Sequence, residues 1–396
     1  MYNSFFCPLP WNHLMFKQSG TVQACCESWK HQFKPSKTIK ETANDPVMKQ
    51  LRLDILDPNK VPDMCWSCEG REKLLANSVR IHTQRLHEHW TPESAQAVTN
   101  ADGSVDNFYL EHLDIRWSNL CNYKCRFCGL VSSHSWLNDA KLLGQEPTQE
   151  YNPKTGIAEY DMDWEDLKTH LSHVRYCKLA GGEPTIMSGT YQLLEELIRI
   201  GNTNCQVSLI TNGTTIQYGK YNLIELLKNF KNVKIQISLE GMGARHAWAR
   251  SGKDDWHIIE KNVDQFISMG NEYDWIINFH SGISWMNMFH LSDFIMHYPN
   301  TPFTLNIVSN PTEMSIQNFY KKDLQRCSEH YEKLIPSAST DLVKQHLIQV
   351  KNALDTAMKT SKEDVDLDKF RSIQGILDTS RKQSFANAYP EWSHYA

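Results

Sequence analysis

Regular alternation of apolar strand-like runs with helical patterns, between residues 109 and 310, is the feature that most constrains the fold of this chain. Because a strand, a helix and a further strand in succession form a right-handed parallel crossover, the pattern predicts an α/β fold. Six such units predict a partial, TIM-like (β/α)₆ barrel, with chemistry at the carboxyl ends of its strands. The predicted strands are 109–117, 176–180, 205–211, 233–239, 274–280 and 303–308.

A short loop after the first predicted strand contains Cys121, Cys125 and Cys128 with the spacing C-x₃-C-x₂-C. Thiolates are the ligands that iron–sulfur clusters prefer, and three of them can hold three irons of a four-iron cluster. The fourth iron then has no protein ligand and keeps a position for substrate, as an open zinc site does. A zinc knuckle and three unrelated thiols remain as alternatives.

The first 75 residues contain a second group of cysteines. Short runs on either side of Ser19-Gly20 predict a β-hairpin, and Asp45 to Leu56 has the spacing of a helix. A structural Cys₄ zinc site is the alternative to an iron–sulfur cluster, because fully ligated sites of either metal hold small folds together. A complete set of four thiolates is available from Cys7, Cys25, Cys65 and Cys68.

A predicted linker helix from Arg80 to Trp90 carries three histidines, His82, His87 and His89. Without matching carboxylates, these histidines are predicted to lie on an exposed helix face and not to bind a metal. Further along the chain, a stretch rich in proline, glycine and polar residues predicts a surface insertion or a substrate lid. The predicted organisation is a Cys-rich module at 1–75, a linker at 76–108, a barrel at 109–310 interrupted by the insertion at 144–162, and a C-terminal helical extension at 311–396.

Composition narrows the expected environment. The chain has no apolar run near twenty residues, and its N-terminus has no basic region followed by an apolar stretch, so neither a membrane span nor a signal peptide is expected. Eleven cysteines then suggest a reducing, cytoplasmic compartment. The net charge of −5 argues against broad charge-driven binding of nucleic acid, although a local basic groove remains possible.

The triple-cysteine loop at the end of a strand resembles the signature of the radical S-adenosylmethionine (SAM) enzymes. The four N-terminal cysteines resemble the SPASM and twitch auxiliary-cluster modules of that family, which usually ligate through the first cysteine of a Cys-Cys pair, here Cys25 and not Cys26. The family usually places this module after the barrel, whereas here it precedes the barrel. The resemblance covers residues 1–75 and 109–310.

The resemblance also implies which residues bind SAM. The segment Gly181-Gly182-Glu183-Pro184 would bind the amino group of the methionine moiety. Ser238 and Glu240, on one side of an extended chain, would bind the ribose hydroxyls, although the family more often has Asp at the second position. Arg250 would contact the SAM carboxylate. Further candidates near the cofactor are Thr211 and Asn212 of a Thr-Asn-Gly element, for which an ordinary Asn-Gly turn is the alternative, and Asn287.

By this resemblance the chain is expected to be an oxidoreductase or transferase with two four-iron–four-sulfur clusters. Reductive cleavage of SAM at the three-cysteine cluster would give a 5′-deoxyadenosyl radical that removes hydrogen from the substrate. The expected partners are a reductant such as flavodoxin or ferredoxin and a substrate, first a peptide or protein, second a carbohydrate or other small molecule, third RNA. No membrane partner is expected. The alternative from a different class is a non-catalytic zinc-binding module.

Overall fold

The computed structural model describes residues 5–28, 30–75, 78–251, 256–361 and 367–395. Residues outside this description occur in the predicted module, in the predicted linker and in the predicted C-terminal extension. They also occur in the N-terminal stretch for which no signal peptide is expected. Within the described residues the fold is α/β, with a mostly parallel sheet of nine strands and a separate two-stranded hairpin. The strands are β1 His13–Lys17, β2 Thr21–Gln23, β3 Gln32–Phe33, β4 His112–Ile115, β5 Tyr176–Leu179, β6 Gln206–Thr211, β7 Gln217–Tyr218, β8 Tyr221–Asn222, β9 Asn232–Ser238, β10 Ile276–Ile283 and β11 Phe303–Ile307.

The helices connect these strands and continue past the last of them. Short 3₁₀ turns also occur, among them Asp63–Cys65, His134–Trp136 and Pro184–Ile186. No described helix is both long enough and apolar enough to span a membrane. The α-helices are α1 Leu9–Asn12, α2 Ile39–Ala43, α3 Pro46–Leu56, α4 Trp66–Leu75, α5 Val79–Leu86, α6 Pro92–Val98, α7 Leu137–Leu142, α8 Trp164–His170, α9 Ser188–Arg199, α10 Leu223–Leu227, α11 Gly243–Arg250, α12 Trp256–Tyr273, α13 Leu291–His297, α14 Lys321–Leu334, α15 Asp341–Thr360, α16 Asp368–Arg381 and α17 Phe385–Ala388.

The six predicted strands are confirmed as β4, β5, β6, β9, β10 and β11, of which β4 is shorter than predicted. The predicted helix at Asp45 to Leu56 is confirmed as α3. It starts where predicted because the Asp45 carboxylate accepts a hydrogen bond from the Val47 N–H at 2.8 Å and so caps the first turn. The described part of residues 311–396 is largely helical.

The chain divides into two compact units, each described here by itself. In the first unit β1, β4 and β5 are parallel neighbours, and β2 and β3 extend antiparallel from β1. In the second unit β9, β10 and β11 are parallel neighbours. The first unit comprises Met1–Asn119, Ala158–Ser208 and Leu223–Asn232, and the second comprises Leu120–Ile157, Leu209–Asn222 and Val233–Ala396.

The predicted hairpin is confirmed as β1 and β2, and Gly20 in its turn has a φ of 74°, which favours glycine. The parallel pairing of β1 with β4, in which Leu14 lies opposite Leu113, was not predicted. Local patterns do not reveal a pairing between segments so far apart in the chain. The N-terminal cysteines therefore belong to a segment that shares a sheet with the first predicted barrel strand.

The prediction of an exposed histidine face was wrong for His87. Helix α5 ends at Leu86, short of the predicted Trp90, and His87 follows as its C-cap. The His87 side chain is fully buried, with its ring against those of His112 and Tyr176. Helical periodicity does not extend past the end of the helix, so it could not indicate the burial of this residue.

A buried histidine on β1 predicts sensitivity to acid. Burial lowers the pKa of His13 from 6.5 to about 4, although Asp114 opposes the shift. Between these two pH values the unfolded chain binds more protons than the folded chain, so the free energy of unfolding decreases as pH falls through this window. The loss between pH 7 and pH 4.5 should be on the order of 2 to 3 kcal/mol from this residue.

Urea unfolding of wild type and His13→Gln at both pH values measures this loss. We expect the variant to lose less stability than wild type on acidification, because glutamine has no proton to gain. The matched control is His297→Gln, whose ring is largely exposed, and it should lose as much as wild type. An equal loss in all three proteins would contradict the prediction.

Candidate active site

The three cysteines of the C-x₃-C-x₂-C motif lie on one irregular loop of the second unit. Cys121 and Cys125 are buried, and Cys128 is exposed. A turn brings the last two together, and the Cys128 N–H donates to the Cys125 carbonyl oxygen at 3.0 Å. A hydrogen bond from the Cys128 thiol lowers the pKa of Cys125, and Arg250 lowers it further, while burial opposes both. These effects favour the thiolate of Cys125, which is the form of cysteine that binds metal.

Side chains just after the loop hold its backbone. The Ser135 hydroxyl donates to the Cys121 carbonyl oxygen at 2.8 Å, and the Trp136 indole N–H donates to that of Cys125 at 2.9 Å. The Ser133 hydroxyl donates to the carbonyl oxygen of Tyr123. These bonds fix the directions in which the loop presents its thiols. The sequence analysis missed this support, although the polar run Ser-Ser-His-Ser-Trp so close to the cysteines was a visible signal.

Arg250, the last residue of α11, lies beside the cysteine loop. Its Nη1 atom is 3.6 Å from the Cys125 Sγ. Its Nε and Nη2 atoms donate to the two carboxylate oxygens of Glu240 at 2.6 and 2.7 Å. Burial opposes a charged guanidinium here, but Glu240 and then Cys125 raise the pKa of Arg250. A fixed positive charge therefore lies next to a cysteine sulfur, held there by a bidentate ion pair.

Asn212 connects the predicted Thr-Asn-Gly element to the same loop. Its side-chain amide donates to the Asn122 Oδ1 at 2.8 Å, and Asn122 lies between two of the motif cysteines. Asn212 also accepts a bond from the Thr214 hydroxyl at 2.7 Å. The Thr211 hydroxyl accepts from the Gly213 N–H at 3.1 Å, which is a bond within the turn. The structure thus joins Asn212 to the cysteine loop and gives Thr211 a local contact.

Asn287 supports the segment that carries Glu240. Its amide donates to the Glu240 carbonyl oxygen at 3.1 Å and to the Gly282 carbonyl oxygen at 2.8 Å. Ser238 is the last residue of β9, two residues before Glu240. Among the predicted residues of the second unit, contacts therefore link the cysteine loop with Arg250, Glu240, Asn287 and Asn212.

The Gly181–Pro184 segment belongs to the first unit and follows β5. Gly181 has a φ of 125°, and a Cβ atom there would lie 2.9 Å from the Ser118 carbonyl oxygen, so only glycine fits. The Gly182 N–H donates to the same oxygen at 3.1 Å. The buried Glu183 carboxylate accepts from the Thr185 N–H at 3.2 Å and from its hydroxyl at 2.7 Å. This carboxylate therefore caps the following 3₁₀ turn.

A buried arginine inside the motif ties the cysteine loop to the C-terminal helices. The Arg126 guanidinium lies 3.7 Å from the centre of the Trp248 ring and donates to the Trp248 carbonyl oxygen. It also donates to Gln374 at 2.7 Å, to Gln383 at 2.9 Å and to the Asp378 carboxylate. The sequence analysis found no chemical motif after residue 311, because a lone Asp or Gln on a helix carries no signal.

Residues 115–286 match the profile of the Radical SAM superfamily. This stretch is a radical SAM domain. It contains the three motif cysteines and the predicted SAM-binding residues from Gly181 to Arg250. Members of the superfamily are enzymes, and the family implies a four-iron–four-sulfur cluster and SAM. A search of curated protein sequences found no significant match.

Several solved structures are similar to this chain. One is described as native anSMEcpe with bound AdoMet, at 18% identity and a TM-score of 0.37, over 55% of this chain and 58% of that one. Another is described as TYW1 with a lysine-pyruvate adduct bound, at 11% identity and a TM-score of 0.30, over 68% of this chain and 88% of that one. TM-scores this low do not establish a shared fold, so the family assignment depends on the sequence match.

The cysteine loop of the radical SAM domain fits the implied cluster by the chemistry of its donors. Three thiols on one loop are a donor set for three of four irons. Arg250 beside Cys125 supplies positive charge that offsets the negative charge of thiolates. Cys121, Cys125 and Cys128 would therefore hold the cluster, and Arg250 would lie next to it.

The four predicted auxiliary cysteines belong to the first unit, where electrostatic interactions act among their thiols. Burial, together with smaller effects of Cys65 and Cys68, raises the pKa of Cys7 to about 12. Burial raises the pKa of Cys65 to about 12 as well, followed by the effects of Cys25 and Cys68. The buried Arg80, paired with Glu72, opposes these shifts at Cys7 and Cys65, so a cation lies near the group. These effects show that the four thiols interact electrostatically with one another and that Arg80 acts on two of them.

The neighbouring Cys26 has different surroundings. Burial raises its pKa, and its next strongest interactions are with Lys178 and Asp114 of the sheet. Burial also raises the pKa of Cys25, whose next interactions are with Cys26 and then with Cys7 of the predicted set. This difference favours Cys25 over Cys26 as a member of the four-thiol group. Whether this group forms a SPASM or twitch module remains a prediction.

Proposed function

We propose that this chain reductively cleaves SAM and uses the resulting radical to remove a hydrogen atom from a substrate. The observation that carries the proposal is the buried Arg250, which lies 3.6 Å from a cysteine sulfur of the C-x₃-C-x₂-C loop inside a radical SAM domain. A zinc knuckle does not need the guanidinium of Arg250 beside its metal ion. A SAM-binding site does need such a cation, because the methionine moiety of SAM carries a carboxylate.

The residues have separate proposed roles. Cys121, Cys125 and Cys128 would hold the cluster, and its iron without a protein ligand would bind the amino and carboxylate groups of SAM. When bound and reduced, the cluster supplies one electron that breaks the sulfur–C5′ bond of SAM, giving methionine and a 5′-deoxyadenosyl radical. Arg250 contacts the SAM carboxylate, and the Gly181–Pro184 segment binds its amino group.

Glu240 has two proposed roles. It holds Arg250 in place through the bidentate ion pair, and with Ser238 it binds the ribose hydroxyls of SAM. Both of its carboxylate oxygens already accept a bond from Arg250. Each oxygen has a second lone pair, so contact with a ribose hydroxyl does not require the ion pair to break. Thr211 and Asn212 complete the cofactor site, Asn212 through its bond to the cysteine loop.

The thiols of Cys7, Cys25, Cys65 and Cys68 are proposed to hold a second four-iron–four-sulfur cluster. It either accepts an electron from the substrate radical or shapes the site. Clusters of this type accompany peptide modification in the family that the sequence resembles, so a peptide or protein is the first proposed substrate. A carbohydrate or other small molecule is the second, and RNA is the third. A flavodoxin or ferredoxin of the cytoplasm is the proposed reductant.

Anaerobic reconstitution with iron and sulfide tests the proposal. After addition of dithionite and SAM, we expect about eight irons per chain and steady formation of 5′-deoxyadenosine. About four irons with 5′-deoxyadenosine would retain the activity and remove the second cluster. Zinc in place of iron, without SAM cleavage, would overturn the proposal and favour a zinc-binding module.

A further inference from the structure

Three side chains of the first unit, none of them a cysteine, converge on one another. His87, His89 and Glu111 each offer one ligand atom, and these atoms all lie within 4.8 Å of one another. The Glu111 Oε2 is 2.8 Å from the His89 Nε2 and 3.7 Å from the His87 Nδ1. The sequence showed no carboxylate matched to the linker histidines. Glu111, immediately before β4, supplies that carboxylate in the fold.

The backbone holds this cluster firmly. The His87 N–H donates to the Thr83 carbonyl oxygen at 2.9 Å, which closes α5, and the His87 carbonyl oxygen accepts from the Trp90 N–H at 2.9 Å. The Glu111 N–H donates to the Asn12 carbonyl oxygen at 2.9 Å, and the Glu111 carbonyl oxygen accepts from Tyr176 at 2.9 Å. A helix end and a sheet therefore fix the two sides of the cluster.

The surroundings of His87 indicate a missing ligand. Its Nδ1 is buried and faces the Glu111 Oε2 at 3.7 Å, which is longer than an ordinary hydrogen bond. Its Nε2 lies 3.3 Å from the His112 Nδ1, which fixes the orientation of the ring. A buried ring nitrogen without a close partner is costly, and a cation between it and the carboxylate would satisfy both.

Glu111 is suited to be the anionic member. Burial opposes its ionisation, but His87, His89 and Arg175 together lower the pKa of Glu111 below its ordinary value. It is therefore a carboxylate at neutral pH. Metal-binding histidines usually have a second partner on the other ring nitrogen, as His87 has in His112.

We propose that His87 Nδ1, His89 Nε2 and Glu111 Oε2 form a binding site for a divalent transition-metal ion, with zinc as the natural occupant. Two imidazoles and one carboxylate are a known donor set for zinc sites that keep an open position. Glu111 lines a cavity of about 690 Å³, together with Arg175, Tyr176, Asn202 and Gln206. The open position would face this cavity and take water or a small anionic ligand.

The site is separate from the proposed SAM chemistry and does not depend on it. Tyr176 and Gln206 in the cavity wall are the first residues of β5 and β6, so the cavity lies at the amino ends of these strands. The Gly181–Pro184 segment follows the carboxyl end of β5.

The positive charge of Arg175 should weaken binding of a metal ion at this site, because it lies beside His89. Its Nη1 lies 3.3 Å from the His89 Nδ1, so in the ion-free state the His89 Nε2 carries the proton and donates to Glu111. Binding of the ion displaces that proton and weakens the Arg175 contact. Arg175 is exposed and can move away. Removing it should therefore strengthen metal binding.

Equilibrium dialysis of the cluster-loaded protein against Zn²⁺, with metal counted by mass spectrometry, tests the proposal. Loading the iron–sulfur sites first occupies the thiols, and zinc that still binds to thiols contributes equally to every variant. We expect one zinc per chain that His89→Ala and Glu111→Gln weaken by at least about tenfold. Arg175→Ala should bind more tightly than wild type.

The matched control is His82→Ala, which removes an exposed histidine from α5 outside the cluster. It should bind zinc as wild type does. The proposal is overturned if wild type binds no such ion, or if His89→Ala and Glu111→Gln bind zinc as tightly as wild type. An equal loss in His82→Ala would overturn it as well. His89 is exposed, so its replacement should leave the protein folded, and thermal unfolding of each variant verifies this.

Discussion

Replacing Cys125 by alanine should abolish 5′-deoxyadenosine formation, with a loss of at least about a hundredfold. Cys125 is the motif cysteine whose sulfur contacts Arg250, and its pKa is lowered by the Cys128 thiol. The substitution therefore removes both a proposed iron ligand and the group that the buried cation faces. Iron content should fall by the irons of one cluster. The measurement is iron per chain and 5′-deoxyadenosine under anaerobic reduction.

Two further cysteine variants give this experiment its contrast. Cys68→Ala should lose iron from the second group but keep some SAM cleavage, no longer coupled to substrate. Cys327→Ala removes a buried thiol of α14 that belongs to neither group of cysteines. This variant should keep its full iron content and its activity. Normal SAM cleavage by Cys125→Ala would show that the assignment of the catalytic loop is wrong.

Replacing Arg126 by methionine should lower the free energy of unfolding by about 3 kcal/mol or more. The substitution roughly keeps the side-chain volume but removes the charge, so the Asp378 carboxylate loses its ion pair with Arg126 and Gln374 and Gln383 each lose one hydrogen bond. Because Arg126 follows Cys125 directly, the loop should also retain its cluster less well. Chemical denaturation and the rate of iron loss to a chelator measure the two effects.

The control for Arg126 is Arg199→Met. Arg199 is 68% exposed and pairs with Glu196 on the surface of α9, so its loss should change stability by no more than about 0.5 kcal/mol. Arg126→Lys should lie between the two, because lysine keeps the charge but not the planar fork of donors. Equal stability of the two methionine variants would contradict a structural role for the buried network.

Much of the fold could be predicted because its signals are local. Apolar strand-like runs predicted six strands, which the structure shows as β4, β5, β6, β9, β10 and β11. Asp45 marked the start of α3. The C-x₃-C-x₂-C spacing indicated the loop that the superfamily match later included. Such patterns depend only on residues close together in the chain, so they can be recognised without knowledge of the fold.

Contacts between distant segments could not be predicted in this way. The pairing of β1 with β4, the bond from Arg126 to Asp378 and the approach of Glu111 to His87 each join residues that are unremarkable in their own segments. The bidentate pair of Arg250 with Glu240 is a milder case, since both were expected near SAM but not in contact with each other.

The sequence by itself therefore determined the order of strands and helices, the two groups of cysteines and the chemistry that thiolates can supply. Only the tertiary structure decided which charges face those thiols, which helices hold the cysteine loop, and that a linker histidine is buried beside a carboxylate. The physical reason is that backbone periodicity and ligand type are properties of short segments. Burial and charge pairing, in contrast, arise only when distant segments exclude water together.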